Sequence, residues 1–148
     1  MAKKEDIEKL RNLTGAGVMD CKKALEETKN DFDKALELIQ ERGYIKAEKK
    51  ATRATGAGFL ETYTHNNRVG VLLDVRCETD FAAHSDPFKN LAHELVMQIA
   101  AMDPKDIDEL LKQPYIKDAN LIIEAVIKTT NAKIGENIRV ERFCRYEL

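Results

Sequence analysis

The sequence predicts an α+β protein, in which three small helices precede a core of three strands and several helices. Apolar residues recur every three or four positions up to residue 43, which is the period of an amphipathic helix. In the runs 59–63 and 69–75 the period changes to two, as in a β-strand, and helical spacing returns at Phe88. Three strands and several helices in this arrangement make an α+β core.

The first predicted helix lies within residues 4–13, where Ile7 and Leu10 recur at helical spacing. Gly15 and Gly17 then interrupt the pattern, which indicates a turn that ends the helix. This segment is too short for a phosphate-binding loop, because it lacks the Gly-x-x-x-x-Gly-Lys-Ser/Thr frame that wraps phosphates. We therefore expect a structural turn between the first two helices.

Two more helices are predicted before residue 44. The second of them begins at Asn30 or Asp31 and ends at Gly43. The apolar stripe of the second helix of the chain is Val18, Cys21 and Leu25. That of the third helix is Phe32, Ala35, Leu36 and Ile39. A bundle of about 40 residues lies near the lower size limit for independent folding, so most of its apolar surface is needed for its own core. We interpret residues 1–43 as a docking domain.

Residues 44–56 are predicted to form a basic linker to a core at 57–148. The apolar pattern thins out there, and the charged residues are Lys46, Glu48, Lys49, Lys50 and Arg53. Such a run could contact RNA, but a solvated connecting segment is its commoner meaning. A net charge of −2 also lacks the positive field of a dedicated nucleic-acid binder. We therefore expect no direct nucleic acid contact and favour a protein partner.

The core begins with a predicted β-hairpin. Its two strands are joined by His65-Asn66-Asn67-Arg68, and asparagine tolerates the positive φ angles that tight hairpin turns require. A third strand is predicted over residues 138–145. Its alternation of Ile138 and Val140 breaks before Phe143, so we expect a bulge or a two-sided environment there.

Three helices are predicted between the hairpin and the last strand. The clearest begins at Ser85 or Asp86, just before Pro87, and its apolar stripe is Phe88, Leu91, Ala92, Leu95 and Ile99. A brief helix after Asp103-Pro104 stops near Pro114, and its apolar residues are Ile107, Leu110 and Leu111. Another is marked by Leu121, Ile122, Ala125 and Val126 and ends before Gly135.

The sequence indicates neither catalysis nor a metal site. The three histidines share no ligand spacing with cysteine or carboxylate, and no serine stands in a Gly-x-Ser-x-Gly setting. Cys21, Cys77 and Cys144 form no Cys-x-x-Cys pair, and we interpret them as buried free thiols. No apolar run approaches the roughly 20 residues of a membrane helix, and the start lacks the apolar stretch of a secretory signal. We expect a cytoplasmic protein that is not an enzyme and needs no cofactor or membrane.

One segment stands out as a candidate functional site. Glu78-Thr79-Asp80-Phe81-Ala82-Ala83 follows a hydrophobic strand and precedes the strongest helix. It therefore places an aromatic ring and a carboxylate at a junction between elements, where functional residues concentrate. Because phenylalanine is usually buried, the residues alone favour a core position for Phe81 and leave an exposed position open.

Three motifs, in the same order along the chain, resemble signatures of the elongation factor Ts family. They are Leu10-Arg11-x-Leu13-Thr14-Gly15-Ala16-Gly17-Val18-Met19-Asp20-Cys21-Lys22-Lys23-Ala24-Leu25, Cys77-Glu78-Thr79-Asp80-Phe81-Ala82-Ala83, and Ile134-Gly135-Glu136-Asn137-Ile138. The resemblance implies an N-terminal three-helix domain of the ubiquitin-associated (UBA-like) type. That domain agrees with the three helices predicted from spacing.

The resemblance also implies a function, a partner and a binding site. The function is guanine nucleotide exchange, in which the protein promotes GDP release from the GTPase elongation factor Tu by binding its nucleotide-free form more tightly. The segment Thr79-Asp80-Phe81-Ala82-Ala83 would press on the GTPase near the magnesium ion and phosphates, with Phe81 as a wedge and Asp80 disturbing the magnesium environment. The implied docking contacts are Leu13, Thr14, Gly15, Val18, Met19 and Lys23.

The sequence departs from the family pattern in two ways. The family usually shows valine, alanine and a basic residue after Asp-Phe, where this chain has Ala82, Ala83 and His84. The common longer form has two related core halves, whereas 148 residues leave room for only one. We therefore expect a homodimer, with the terminal strand and Cys144 near the contact between the copies.

Two other functions stay open at this point. An adaptor that binds ubiquitin-like proteins would use the same three-helix module, but it gives no reason for the Thr-Asp-Phe segment. An RNA-binding accessory factor would use residues 46–53, and its RNA affinity would fall steeply with salt.

Overall fold

The computed structural model describes residues 2–148; residue 1, where the expected docking domain begins, lies outside that range. Three helices come first, namely α1 (Lys4–Thr14), α2 (Val18–Glu27) and α3 (Phe32–Lys50). They enclose a small hydrophobic cluster of their own: Leu10, Cys21, Ala24, Leu25, Ala35 and Ile39. Helix α1 ends at Gly15, whose φ of 69° is left-handed and whose N–H donates to the Arg11 carbonyl at 2.7 Å. The predicted turn after the first helix is confirmed.

A three-stranded antiparallel sheet forms the centre of the core. The strands of the chain are β1 (Ala57–His65), β2 (Val69–Cys77), β3 (Pro114–Tyr115), β4 (Asp118–Ile122) and β5 (Arg139–Glu147), and the main sheet has the order β1-β2-β5. Asn66 and Asn67 take positive φ angles of 51° and 55°, as a type I′ hairpin turn requires. The predicted hairpin is therefore confirmed.

The predicted irregularity of the last strand is a β-bulge. Asp74 of β2 pairs with Arg142, but the next residue, Val75, pairs with Val140, so Glu141 is the extra residue. The bulge restores the alternation, because Val140 again points to the buried side of the sheet, as Val75 does.

Four helices accompany the sheet: α4 (Asp80–Ala83), α5 (Asp86–Met102), α6 (Ile107–Lys112) and α7 (Ile123–Ile134). Helix α5 packs on one face of the sheet through its predicted stripe, and the Phe88 ring meets Phe59 edge-on with centroids 5.3 Å apart. Ser85 is the N-cap residue of α5, with Pro87 in the first turn. The predicted α+β architecture, with helices before a helix-covered antiparallel sheet, is confirmed.

The small second sheet, formed by β3 and β4, was not predicted. Leu121 and Ile122 were expected to start a helix, but they lie in β4, so α7 begins only at Ile123. The completely buried Gln98 of α5 explains this arrangement, because it donates to the Pro114 carbonyl at 3.0 Å and accepts from the Ile116 N–H at 2.9 Å. These bonds tie the β3 segment to α5 and satisfy a polar side chain within an apolar helix face.

Helix α3 is longer than predicted, and the expectation that it ends at Gly43 is wrong. It begins after Asp31, whose side chain accepts from the Lys34 N–H, and it continues to Lys50. Gly43 instead allows close packing, since a Cβ there would lie 3.0 Å from the Ala132 Cβ of α7. The expected linker 44–56 is thus helical over its first half, and the division of the chain into domains at this place stays a prediction.

Two of the three cysteines are buried as expected, but Cys144 is exposed. It lies in β5 opposite Leu72, on the face of the sheet that α5 does not cover. Cys21 and Cys77 lie in the two hydrophobic clusters. The prediction of a buried thiol is therefore wrong for Cys144, because strand periodicity turns it to the open face.

Candidate partner-binding site

Phe81 projects into solvent from the short helix α4, between β2 and α5. Its side chain is 90% exposed, so the core position that the residue type favours is wrong. The next two residues, Ala82 and Ala83, are only 4% and 1% exposed and belong to the main hydrophobic cluster. The structure thus divides the predicted five-residue site: Thr79, Asp80 and Phe81 are on the surface, and the two alanines anchor them from below.

The sequence explains why the chain turns sharply at this point. Thr79 has extended backbone angles and its Oγ1 accepts from the Ala82 N–H at 3.3 Å, so it caps the helix. Asp80 occupies the first turn, where a negative charge is favourable. At the other end, the Ser85 hydroxyl donates to the Ala82 carbonyl at 2.6 Å. The ring of Phe81 is therefore carried by a single turn closed at both ends.

Residues from a distant part of the chain hold this turn in place. The Glu136 carboxylate accepts from the Thr79 N–H at 2.8 Å and from the Thr79 hydroxyl at 2.6 Å. The Asn137 N–H donates to the Glu78 carboxylate at 2.8 Å. The second and third sequence motifs are therefore in direct contact, although 57 residues separate Thr79 from Glu136. Sequence reasoning quoted Glu136 and Asn137 only as part of a signature and assigned them no role.

The Cys77 thiol supports the turn from inside. Its Sγ donates to the Thr79 carbonyl at 3.2 Å. Burial raises the pKa of Cys77, and the nearby carboxylates of Glu136 and Asp80 add to the effect. The group therefore stays a neutral thiol, which keeps the proton that this hydrogen bond needs.

The surface around Phe81 is polar and acidic. A shallow depression beside the ring is lined by Asp80, His84, Ser85 and Asp86. The His84 Nδ1 lies 2.7 Å from the Asp80 carbonyl oxygen, so its imidazole is held over the end of the turn. An exposed aromatic ring next to exposed carboxylates can insert into an apolar cleft of a partner while bringing negative charge to its rim.

The predicted docking contacts lie on and around the turn between α1 and α2. Leu13, Val18 and Met19 are all large apolar residues that remain exposed. Thr14 is different: it is buried, and its hydroxyl donates to the Leu10 carbonyl at 2.7 Å. Thr14 thus shapes the turn, and only a small part of it is exposed.

A groove runs from this turn along α3 to α7. Of the predicted docking residues, Leu13, Thr14, Gly15 and Lys23 line it, whereas Val18 and Met19 lie outside it. The structure adds Ile45, a half-exposed apolar residue of α3 in the same groove. An apolar residue within an otherwise basic run could have indicated a contact role for Ile45. Because residues 44–56 were predicted to be a linker, Ile45 was not among the predicted docking residues.

The described part of the chain offers no metal centre, because nowhere in residues 2–148 do three His, Cys, Asp or Glu side chains converge in a suitable group. None of the helices described is both long and apolar enough to cross a membrane. The exposed Phe81 turn and the groove beside the α1–α2 turn are the two surface features that contain the predicted site residues.

Comparison with known proteins gives a consistent result. A family model described as Elongation factor TS matches residues 78–148. The chain is 41% identical over 194 residues to the chloroplastic Elongation factor Ts of Cyanidioschyzon merolae, covering 98% of this chain and 93% of the relative. It is 41% identical over 186 residues to the Elongation factor Ts of Thermotoga neapolitana, covering 96% of this chain and 94% of the relative.

A third relative is longer. The Elongation factor Ts of Nostoc sp. is 46% identical over 143 residues, which are 96% of this chain but only 45% of the relative. The alignment with the Cyanidioschyzon protein is longer than the present chain of 148 residues, so that relative carries residues that this chain lacks.

Proposed function

Because the chain belongs to the elongation factor Ts family, we propose that it is a guanine nucleotide exchange factor that promotes GDP release from the GTPase elongation factor Tu. The observation that carries the proposal is the presentation of Phe81, a 90% exposed aromatic ring beside Asp80 on a turn fixed from below. Phenylalanine is usually buried, and large aromatic side chains are enriched among the residues that dominate protein interfaces, so a ring presented in this way suits contact with a partner.

Two surfaces share the task in this proposal. Leu13, Val18 and Met19 form the apolar part of the docking surface, with Gly15 allowing close approach and Lys23 adding positive charge. Phe81 then inserts between helices of the GTPase, and Asp80 enters the neighbourhood of the magnesium ion. A carboxylate there competes with the phosphates for the cation and repels them, so the site loses affinity for GDP.

The free energy needed to accelerate GDP release limits how much of it any single contact can supply. Binding of the exchange factor and of GDP must oppose each other, and this coupling is reciprocal. Acceleration of release by roughly 1000-fold needs about 4 kcal/mol of preference for the transition state. Burial of one phenylalanine contributes about 1.5 to 3 kcal/mol, so Phe81 needs the help of Asp80 and the docking surface.

The test is displacement of a fluorescent GDP analogue from elongation factor Tu by the purified chain. We expect faster release with increasing chain concentration, and weaker association of the two proteins when GDP is saturating. An Asp80→Ala variant should retain association but release nucleotide more slowly. Equal affinity for the GDP-bound and nucleotide-free GTPase would refute the proposal.

We further propose that the chain forms a homodimer through the open face of its main sheet. Helix α5 covers one face, whereas Leu60, Leu72 and Tyr146 stay exposed on the other. Cys144 lies opposite Leu72 on the same face, between Tyr146 and the ion pair of Asp74 with Arg142. A second copy would bury the same residues on both sides, as a two-fold interface requires.

Light scattering tests this arrangement. We expect a dimer at micromolar concentration for the wild type and a monomer for Leu72→Glu, which places a charge among the exposed apolar side chains of this face. Glu124→Ala, on the surface of α7, serves as the control that should leave the mass unchanged. A monomeric wild type at these concentrations would refute the dimer.

An exchange factor acts by binding and makes or breaks no covalent bond, so we propose no catalytic residue, cofactor or direct nucleic-acid contact. The basic side chains of α3 support this view, since Lys46 pairs with Asp20 at 3.5 Å and Lys50 donates to the Gly135 carbonyl at 2.8 Å. The cytoplasm is the location we propose; a plastid is the alternative, because one relative is named as chloroplastic.

A further inference from the structure

We propose that Glu136 is a positioning residue for nucleotide exchange, which fixes the turn that carries Phe81. The inference rests on the proposed function and adds to it a residue that is distant from the turn in sequence but in direct contact with it. Helix α4 has only four residues, and a single helical turn is not stable by itself. Something outside the turn must therefore hold the ring at a defined angle.

The Glu136 carboxylate meets that need through a two-point contact. One oxygen accepts from the Thr79 N–H at 2.8 Å and the other accepts from the Thr79 hydroxyl at 2.6 Å. Two short bonds from one charged group to one residue restrict rotation of that residue more than a single bond can. Thr79 in turn caps α4, so its orientation sets the direction in which Phe81 leaves the surface.

The position of Glu136 is itself well determined. It follows Gly135, which ends α7 with a left-handed φ of 73°, and it precedes Asn137, which is almost completely buried. The Asn137 side-chain amide donates to the Ala51 and Arg53 carbonyls at 3.2 and 3.0 Å, just beyond the end of α3. Through its neighbour Asn137, Glu136 is thus linked to the segment that follows α3 as well as to the core.

Helix α7 lies beneath both proposed contact surfaces. At one place it packs against the docking turn, because a Cβ on Gly15 would lie 3.1 Å from the Lys133 side chain. Three residues further on, Glu136 holds the Phe81 turn. The spacing between the docking turn and the wedge is therefore set through the end of α7, and loss of the Glu136 contacts would free only the wedge.

The test uses the full chain and a fluorescent GDP analogue on elongation factor Tu. Release is followed at increasing chain concentration, which separates the maximum release rate in the complex from the half-saturating concentration. Glu136→Ala removes both acceptors. Glu136→Gln retains an acceptor for the N–H and gains an amide that can donate to the Thr79 hydroxyl. Glu124→Ala removes an exposed carboxylate at the other end of α7 and is the control.

We expect Glu136→Ala to lower the maximum release rate on the order of tenfold, since misplacement of a contact group by about an ångström costs up to about a hundredfold. The half-saturating concentration should change less than about twofold, because the docking surface is intact. Glu136→Gln and Glu124→Ala should behave as the wild type. Amide hydrogen exchange of residues 79–83 should become faster in Glu136→Ala only.

A double substitution separates positioning from general stability. In an Asp80→Ala/Phe81→Ala background, Glu136→Ala should cause no further loss, because both groups that it positions are absent. An equal loss in both backgrounds would overturn the inference, and so would an unchanged maximum rate in Glu136→Ala. If Glu136→Ala does not fold, Glu136→Asp, which withdraws the carboxylate by one methylene, is judged by the same criteria. A wild-type chain that leaves GDP release unaffected would refute the proposed function and this inference with it.

Discussion

Truncation of Phe81 should separate function from folding more cleanly than any other change in this chain. The ring is 90% exposed, so Phe81→Ala should change the free energy of unfolding by less than about 0.5 kcal/mol. In the complex with the GTPase, the same truncation removes about 1.5 to 3 kcal/mol of apolar burial. The maximum rate of GDP release should therefore fall by about 10- to 150-fold.

Phe88→Ala is the matched comparison, because it makes the same chemical change where the ring is completely buried. Phe88 packs edge-on against Phe59 at the centre of the main hydrophobic cluster. Its truncation should cost about 3 to 5 kcal/mol of folding free energy. Urea unfolding followed by circular dichroism measures the stability of both variants, and stopped-flow release of a fluorescent GDP analogue measures exchange.

The urea midpoints and exchange rates of the two variants together distinguish a ring needed for exchange from a ring needed for folding. Phe81→Ala should have a wild-type urea midpoint and slow exchange, whereas Phe88→Ala should have a strongly reduced midpoint. If Phe81→Ala unfolded as early as Phe88→Ala, the ring would be part of the core in solution. If it exchanged nucleotide at the wild-type rate, the wedge assignment would be wrong even though the fold was right.

Three further outcomes can be measured on the isolated chain. Gly58→Ala should lower the free energy of unfolding, measured in urea, by about 1 to 3 kcal/mol or more, because φ is +143° and the new Cβ would lie 2.1 Å from a carbonyl oxygen of β2. Gly56→Ala is the control: its Cβ meets open space, so the stability should hardly change. Hydrogen bonds from Arg76 and from Arg142 lower the pKa of Asp74 below its usual 3.8. This carboxylate therefore stabilises the fold above about pH 4, and the stabilisation is lost as the pH falls through the lowered pKa. Asp74→Asn should remove this pH-dependent part of the stability, which a series of unfolding midpoints at different pH values measures. Under native conditions a thiol reagent should modify Cys144 first and the two buried thiols only on unfolding, and the Cys144 rate should fall with rising protein concentration if the open sheet face forms the dimer.

The local elements of the fold could be predicted from sequence, because their signals lie within a few residues of each other. Asn66 and Asn67 specify the hairpin turn, and the break in alternation before Phe143 indicates the bulge. Gly43 was wrongly predicted to end a helix, since in sequence a glycine that permits close helix packing cannot be distinguished from one that ends a helix. Only the position of Ala132, 89 residues further along the chain, distinguishes the two.

The candidate site, too, could be predicted only as far as its signals lie close together in the sequence. Its residues could be named from the Thr79-Asp80-Phe81 motif, but its construction could not, because the Glu136 contacts join segments that are distant in sequence. The residue type predicted the wrong burial for Phe81, since an average preference for the interior does not decide an individual position. Burial of Ala82 and Ala83 could not be predicted either, because a four-residue helix is too short to show the spacing of apolar residues that marks a buried helix face.

The departures from the family pattern now have different meanings. Ala82, where the family usually has valine, is 4% exposed, so this change alters packing beneath the wedge and leaves the contact surface itself unchanged. His84, where the family usually has a basic residue, is exposed and held against the Asp80 carbonyl at 2.7 Å. If this turn is the contact with the GTPase, as proposed above, the departure at Ala82 acts through packing beneath the turn, whereas the departure at His84 acts at the contact itself.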